Sequence, residues 1–206
     1  HEQLALLQPD LLLVWEGGTP AHVVEELRDI GYEVEAMRTN SLADVSRAIL
    51  RIGELTGRDV SAERVATGFD TRMQGVRDRY ADRPVISVFY QVSARPLYTV
   101  NGEHYVSELI SLCGGANVFA DLGELAPTID VEAVVERDPE VFLAASDAGQ
   151  DAFSEWARWP QIAANRHGNH FIVPGDLISR ATPRLLDGVG AVCEALDEAR
   201  QRRDPQ

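Results

Sequence analysis

EQLALLQPDLLLVW, residues 2–15, returns in outline as EAVVERDPEVFLAA at residues 132–145. Each copy has a glutamate, six residues, a proline, an acid and then an apolar run: Glu2, Pro9 and Asp10 match Glu132, Pro139 and Glu140. A proline disfavours helix at the residue before it and cannot continue one. Each copy therefore reads as a short helix, a proline stop and a buried strand. The runs Leu11–Trp15 and Val141–Ala145 lack polar alternation, as expected of strands covered on both faces in a parallel sheet.

The sequence after each strand also corresponds. Gly17-Gly18 turns into a helical stretch ending near Ile30, and Gly31 precedes a strand at Tyr32–Met37. After Ala145 a polar turn leads to a helical stretch near Phe153–Ala163, then Gly168 and a strand at His170–Val173. Strand, helix, strand at this spacing is the parallel crossover unit. Two copies imply two three-layer α/β lobes of similar build.

A helical region lies between the copies. Leu42, Val45, Ile49 and Ile52 recur at helical spacing over Ser41–Leu55. After Thr56-Gly57, Asp59 or Ser61 is placed to cap a longer helix with the stripe Val60, Val65, Phe69, Met73, Val76 and Tyr80, stopped by Pro84. The expected division is a first lobe over 1–58, a connecting helix over 59–82 and a second lobe over 83–206. One long helix between lobes acts as a stiff strut, so lobe closure should be small. The second lobe opens with a strand at Val85–Gln91. A helix from Glu103 to Cys113 stops at Gly114-Gly115. The last helix, with Thr182 and Pro183 at its start, buries Leu185, Leu186, Val189, Val192, Cys193 and Leu196.

The 206 residues carry 33 acidic and 19 basic side chains, every basic one an arginine, for a net charge of −14. This charge argues against a nucleic-acid partner. No apolar run is long enough to cross a bilayer as a helix. His1 opens directly into a helical pattern without a charged leader, so the chain reads as a mature, trimmed or incomplete product. Cys113 and Cys193 lie on apolar helix faces, which suits two buried thiols. A bridge between them would instead need an oxidising compartment and would close an 80-residue loop.

Signals for catalysis are poor. There is no Gly-x-Ser-x-Gly elbow, no histidine beside either cysteine and no phosphate-binding glycine motif. His167 and His170 are three apart without a third ligand in sequence, and read as exposed loop histidines. Trp15 ends one strand, and Tyr98 follows the strand 85–91 by a short loop. Ligands of open α/β sheets bind outside the carboxyl ends of strands, where both rings could stack on a flat ligand; alternatively each ring packs against its own lobe. Asp176 and Arg180 follow the strand ending at Val173, either as a local ion pair or as a polar pair at the same cleft. Glu2 and Glu132 each begin a short helix. They either stabilise its dipole or form a two-point dock on a partner's arginines.

These features together resemble the periplasmic cobalamin-binding proteins of ABC importers, within the class III binding proteins, whose lobes are joined by a helical backbone. The residues carrying the resemblance are Glu2 with QPDLLLVWEGG (8–18), LCGGANVF (112–119), Gly175-Asp176 and RATPR (180–184). The resemblance implies that Trp15, Tyr98, Asp176 and Arg180 line the ligand cleft and that Glu2 and Glu132 dock on a permease dimer. It also implies that Cys113 and Cys193 form a disulfide. Two departures stand out. A cleft tryptophan shortly before Glu132 is replaced by Ala126, and the elements that the family carries before Glu2 are not in this sequence, so the first lobe is expected to be incomplete, either because the sequence is partial or because this is a truncated relative.

The expected function is capture of cobalamin or a related corrinoid in the periplasm by a monomer, which delivers it to an ABC transporter. No catalysis, resident cofactor or metal is expected. A siderophore or haem ligand is the alternative within the class, supported by Arg95 and Arg180. An α/β hydrolase and a truncated interaction module are the alternatives outside it.

Overall fold

In the computed structural model, which describes residues 2–149 and 151–203 and their side chains from Leu4 onward, the repeat is visible in the backbone. Helix α1 (Glu2–Leu7) and helix α6 (Val131–Arg137) each end one residue before a proline-preceding position. Those two positions, Gln8 at φ 46° and Asp138 at φ 41°, are the only non-glycine residues with positive φ among the described residues. The following proline excludes the helical conformation there, and both copies leave the helix by the same left-handed step.

Strands β1 (Leu12–Trp15) and β2 (Val34–Met37) run parallel, with Leu12 opposite Val34 and Trp15 opposite Met37. Helix α2 (Ala21–Asp29) joins them, and Val24, Leu27 and Val34 form a small core of their own. The expectation of a strand covered on both faces fails here. Leu13 is 48% and Trp15 54% exposed, while Leu12 and Val14 are half-buried. Among the described residues this sheet has two strands; α2 and Leu4 of α1 pack on the small core, and Leu13 and Trp15 stay open.

Helix α3 (Leu42–Thr56) has a full capping box: Ser41 Oγ accepts the Asp44 amide at 3.2 Å and Asp44 Oδ2 accepts the Ser41 amide at 2.9 Å. Helix α4 (Asp59–Tyr80) starts where expected and ends two residues before 82, but its cap position is Arg58 and neither Asp59 nor Ser61 caps it. Its buried side is Ala62, Ala66, Phe69 and Met73, whereas Val60 is 81% exposed. The N-terminal half of α4 lies against α3, where Gly53 and Ala62 approach so closely that a side chain at residue 53 would clash. Small residues, not valines, fit that seam. The Ser46 hydroxyl donates to the Asp70 carboxylate across the pair. The start of α3 is also tied to the second lobe, since the Leu42 amide donates to Glu108 at 3.0 Å.

The second lobe is a four-stranded parallel sheet in the order β6-β3-β7-β8. Its strands are β3 (Ile86–Gln91), β6 (Gly115–Asn117), β7 (Val141–Ala145) and β8 (His170–Val173). A short hairpin, β4 (Ser93–Ala94) and β5 (Leu97–Tyr98), follows β3. All of β7 is buried, as expected of a strand with helices on both sides. Ile86, Val88, Tyr90, Val141, Leu143 and Ala145 face one core together with α5 (Tyr105–Leu112) and α9 (Leu185–Gln201). Leu42, Val45, Phe69 and Met73 of α3 and α4 join the same core. Phe89 and Phe142 face the other side and meet Phe119, Trp156 and Ile162. The result is three layers, helix–sheet–helix.

The helical stretch expected near 153–163 is broken into a 3-10 turn at Ser154–Arg158 and helix α7 (Ala163–His167). Pro160 lies between them and holds Trp159 out of helical geometry. His167 and His170 are not loop residues: the first ends α7, and the second opens β8 stacked on Phe142. Helix α8 (Gly175–Ile178) precedes α9, which starts at Leu185 without a side-chain cap, so Thr182 does not cap it. Cys113 and Cys193 are bonded, with an S–S distance of 1.98 Å, and join α5 to α9. The bridge closes an 80-residue loop, worth roughly 4 kcal/mol as lost chain entropy in the unfolded state. No helix among the described residues is long and apolar enough to cross a membrane.

Candidate functional site

A cavity of about 570 Å³ lies where the carboxyl ends of β1 and β2 face the second lobe. One wall is Leu13, Val14 and Trp15 with Met37, Thr39 and Asn40; the other includes His104, Tyr105 and Leu125, and the stretch Ser179–Thr182 after α8. Each lobe supplies its wall from the ends of strands or the loops after them, the position that sheet topology favours for a ligand.

Trp15 stands at the last position of β1, and Gly17 and Gly18 lie against its ring. A β-carbon at Gly18 would overlap the six-membered ring of the indole. The glycine pair therefore lets the ring lie over the turn, with more than half of the residue exposed towards the cavity mouth. Arg180 is exposed, lines the opposite wall and has no ion-pair partner among the described residues.

Asp176 and Tyr98 are not brought to this cavity. Asp176 pairs with Arg184 at 3.1 Å, not with Arg180, because the first turn of α8 points it towards the start of α9. Tyr98 lies in β5, paired with Ser93 and bridged to Thr128, and is half-buried outside the cavity lining. Arg95 pairs with Glu155, also away from the cavity. Glu132 is exposed in the first turn of α6, and the side chain of Glu2 lies outside the described residues. Ala126 is exposed, and its neighbour Leu125 supplies the apolar lining there.

Sequence reasoning missed His104 and Tyr105. Burial lowers the His104 pKa to about 4, so the ring is neutral at neutral pH. Burial pushes the Tyr105 phenol up to about 12, with the Asp147 charge adding to the effect. The helix expected from Glu103 starts at Tyr105 instead, with His104 as its cap; the available signal was a histidine just before the apolar run that begins at Tyr105. No group of three or more histidine, cysteine or acidic side chains that could hold a metal ion is found among the described residues.

The profile of the periplasmic binding protein family matches residues 1–177. A vitamin B12-binding protein of Vibrio parahaemolyticus is 30% identical over 203 residues, which span 98% of this chain and 74% of that protein. The crystal structure of the periplasmic vitamin B12 binding protein of Vibrio cholerae superposes with a TM-score of 0.83 at 30% identity, covering 97% of this chain and 78% of that one. A periplasmic haem-binding protein from Roseiflexus shares the fold with a TM-score of 0.82 at 20% identity, covering 96% and 79% of the two chains.

Proposed function

The chain belongs to the periplasmic binding protein family, and from that membership we propose that it is a non-enzymatic carrier that captures cobalamin or a related corrinoid between its lobes and delivers it to an ABC transporter. The observation that carries this reading is the cavity shared by both lobes, with an exposed indole on one wall and, on the other, a guanidinium without an ion-pair partner among the described residues. A flat macrocycle packs its apolar face on Trp15, which contributes by area burial and stacking. Arg180 offers a fork of donors to the carbonyl groups on the ligand's rim. The names of the relatives point to the same ligand class.

In this reading 1–58 and 83–206 are the two lobes, 59–82 is the connecting helix, and the protein works in the periplasm as a monomer. The pairing of α3 with α4 stiffens the connection, so closure on the ligand is small. Glu2 and Glu132 dock on arginines of the permease dimer. The siderophore alternative loses half of its support, because Arg95 is engaged with Glu155 away from the cavity.

Parallel calorimetric titration with cyanocobalamin, haem and a ferric siderophore tests the assignment. Saturable one-to-one binding of cyanocobalamin alone is the expected result. Binding of only one of the other two would reassign the ligand, and no binding of any would leave an interaction module.

A further inference from the structure

One side chain of the cavity has its hydrogen-bonding role fixed by the fold. His104 is the cap residue of α5, and its Nδ1 accepts the Val106 amide at 3.2 Å. A neutral imidazole has one acceptor nitrogen and one donor nitrogen. With Nδ1 occupied as the acceptor, the proton sits on Nε2. That nitrogen has no protein partner among the described residues and is not among the buried, orphaned polar atoms, so it is accessible, on a side chain that lines the cavity. The ring is held against Tyr105, with centroids 4.4 Å apart, and Tyr105 is 7% exposed.

We infer that His104 is a preset hydrogen-bond donor to the captured ligand: its Nε2–H meets an acceptor oxygen on the ligand's rim and does not coordinate the ligand's metal. The inference rests on the cavity being the ligand site. Coordination through Nε2 would move the proton to Nδ1. The Nδ1–H would then face the Val106 N–H, two donors across 3.2 Å, and the cap would be lost. Burial opposes the imidazolium as well, which closes the route in which both nitrogens donate. His104 thus selects a ligand by acceptors on its edge, amide carbonyls or carboxylates, and not by an open metal position.

Cyanocobalamin affinity and melting temperature are measured for the wild type, His104→Asn and His104→Gln. Asn is a good cap but too short to serve the cavity as well; Gln is a poor cap with an amide donor at nearly the length of the histidine. The expected result is a double dissociation. His104→Asn melts with the wild type and binds about 3- to 10-fold more weakly, while His104→Gln melts lower and keeps its affinity. Undiminished binding by His104→Asn overturns the inference and leaves the ligand assignment standing. Failure of the wild type to bind cyanocobalamin defeats the assignment, and the inference with it. In a second measurement, aquacobalamin, whose cobalt exchanges water for imidazole, should keep its free absorption spectrum when bound to the wild type. A shift to the imidazole-coordinated spectrum that His104→Asn abolishes would overturn the inference.

Discussion

Gly18 controls Trp15 without touching any ligand. The indole lies over the backbone of the Gly17-Gly18 turn, and a methyl group at residue 18 would occupy the space of the ring. Gly18→Ala should therefore tilt the ring out of the cavity wall and weaken cyanocobalamin binding about 10-fold, close to the effect of Trp15→Ala, with little change in melting temperature because Trp15 is 54% exposed. Unchanged affinity in Gly18→Ala, measured by titration, would show that the ring position is not set by the turn. At this scale the sequence was half legible. Trp15 and Arg180 reach the cavity because strand ends lead there. Tyr98 obeyed the same rule in sequence, yet it is held in the β4–β5 hairpin, paired with Ser93, and does not line the cavity. Asp176 and Arg180 are four apart on a segment that is helical only to Ile178, so helical spacing did not apply to the pair.

Among the elements, α3 was expected as a helix and proves also to be a tie between the lobes. Asp44 closes its cap box, accepts the Asn40 amide at 2.9 Å and pairs with Arg47. Burial alone would raise the pKa of this carboxyl. The Ser41 amide and hydroxyl and the Arg47 guanidinium outweigh burial and hold it below its ordinary value. The unfolded chain titrates Asp44 near pH 4, about its free value. The folded pKa is the lower of the two, so the stabilisation is complete above the unfolded value and is lost as pH falls through the folded one. Asp44→Ala should cost about 1–2 kcal/mol at pH 7. Urea melts at pH 7 and pH 3 should show the gap between wild type and variant shrinking at the lower pH. A gap that is constant across this range would remove the charged carboxylate from the account. The pattern gave the bounds of α3 and α4, but not which residues of α4 are buried, because that depends on α3 lying along it and admitting only Ala62 and Ala66 at the seam. The open face of β1 was hidden for a similar reason: an apolar run looks alike whether its sheet is covered on one face or two.

For the whole molecule, the repeat conveyed the plan. Two proline-stopped helices feed two parallel strand pairs, and the backbone repeats even the left-handed residue before each proline. Such a pattern is legible because it depends on local chain geometry. The cavity was less so, because it depends on where two lobes stop relative to each other, and His104 and Leu125 enter it from loops without periodicity. The same plan puts one glutamate at the start of each equivalent helix. Glu2→Arg with Glu132→Arg should abolish uptake in a reconstituted transporter while leaving ligand affinity intact, since charge pairs at such a dock set orientation and association rate. Lost affinity for the ligand would contradict the docking role. Capture between the lobes is tested by the crystal structure of the protein grown with cyanocobalamin. One corrin is expected in the interlobe cavity, its face against Trp15 and its rim within hydrogen-bonding distance of Arg180. A corrin bound elsewhere, or an empty cavity at saturating ligand, would contradict it.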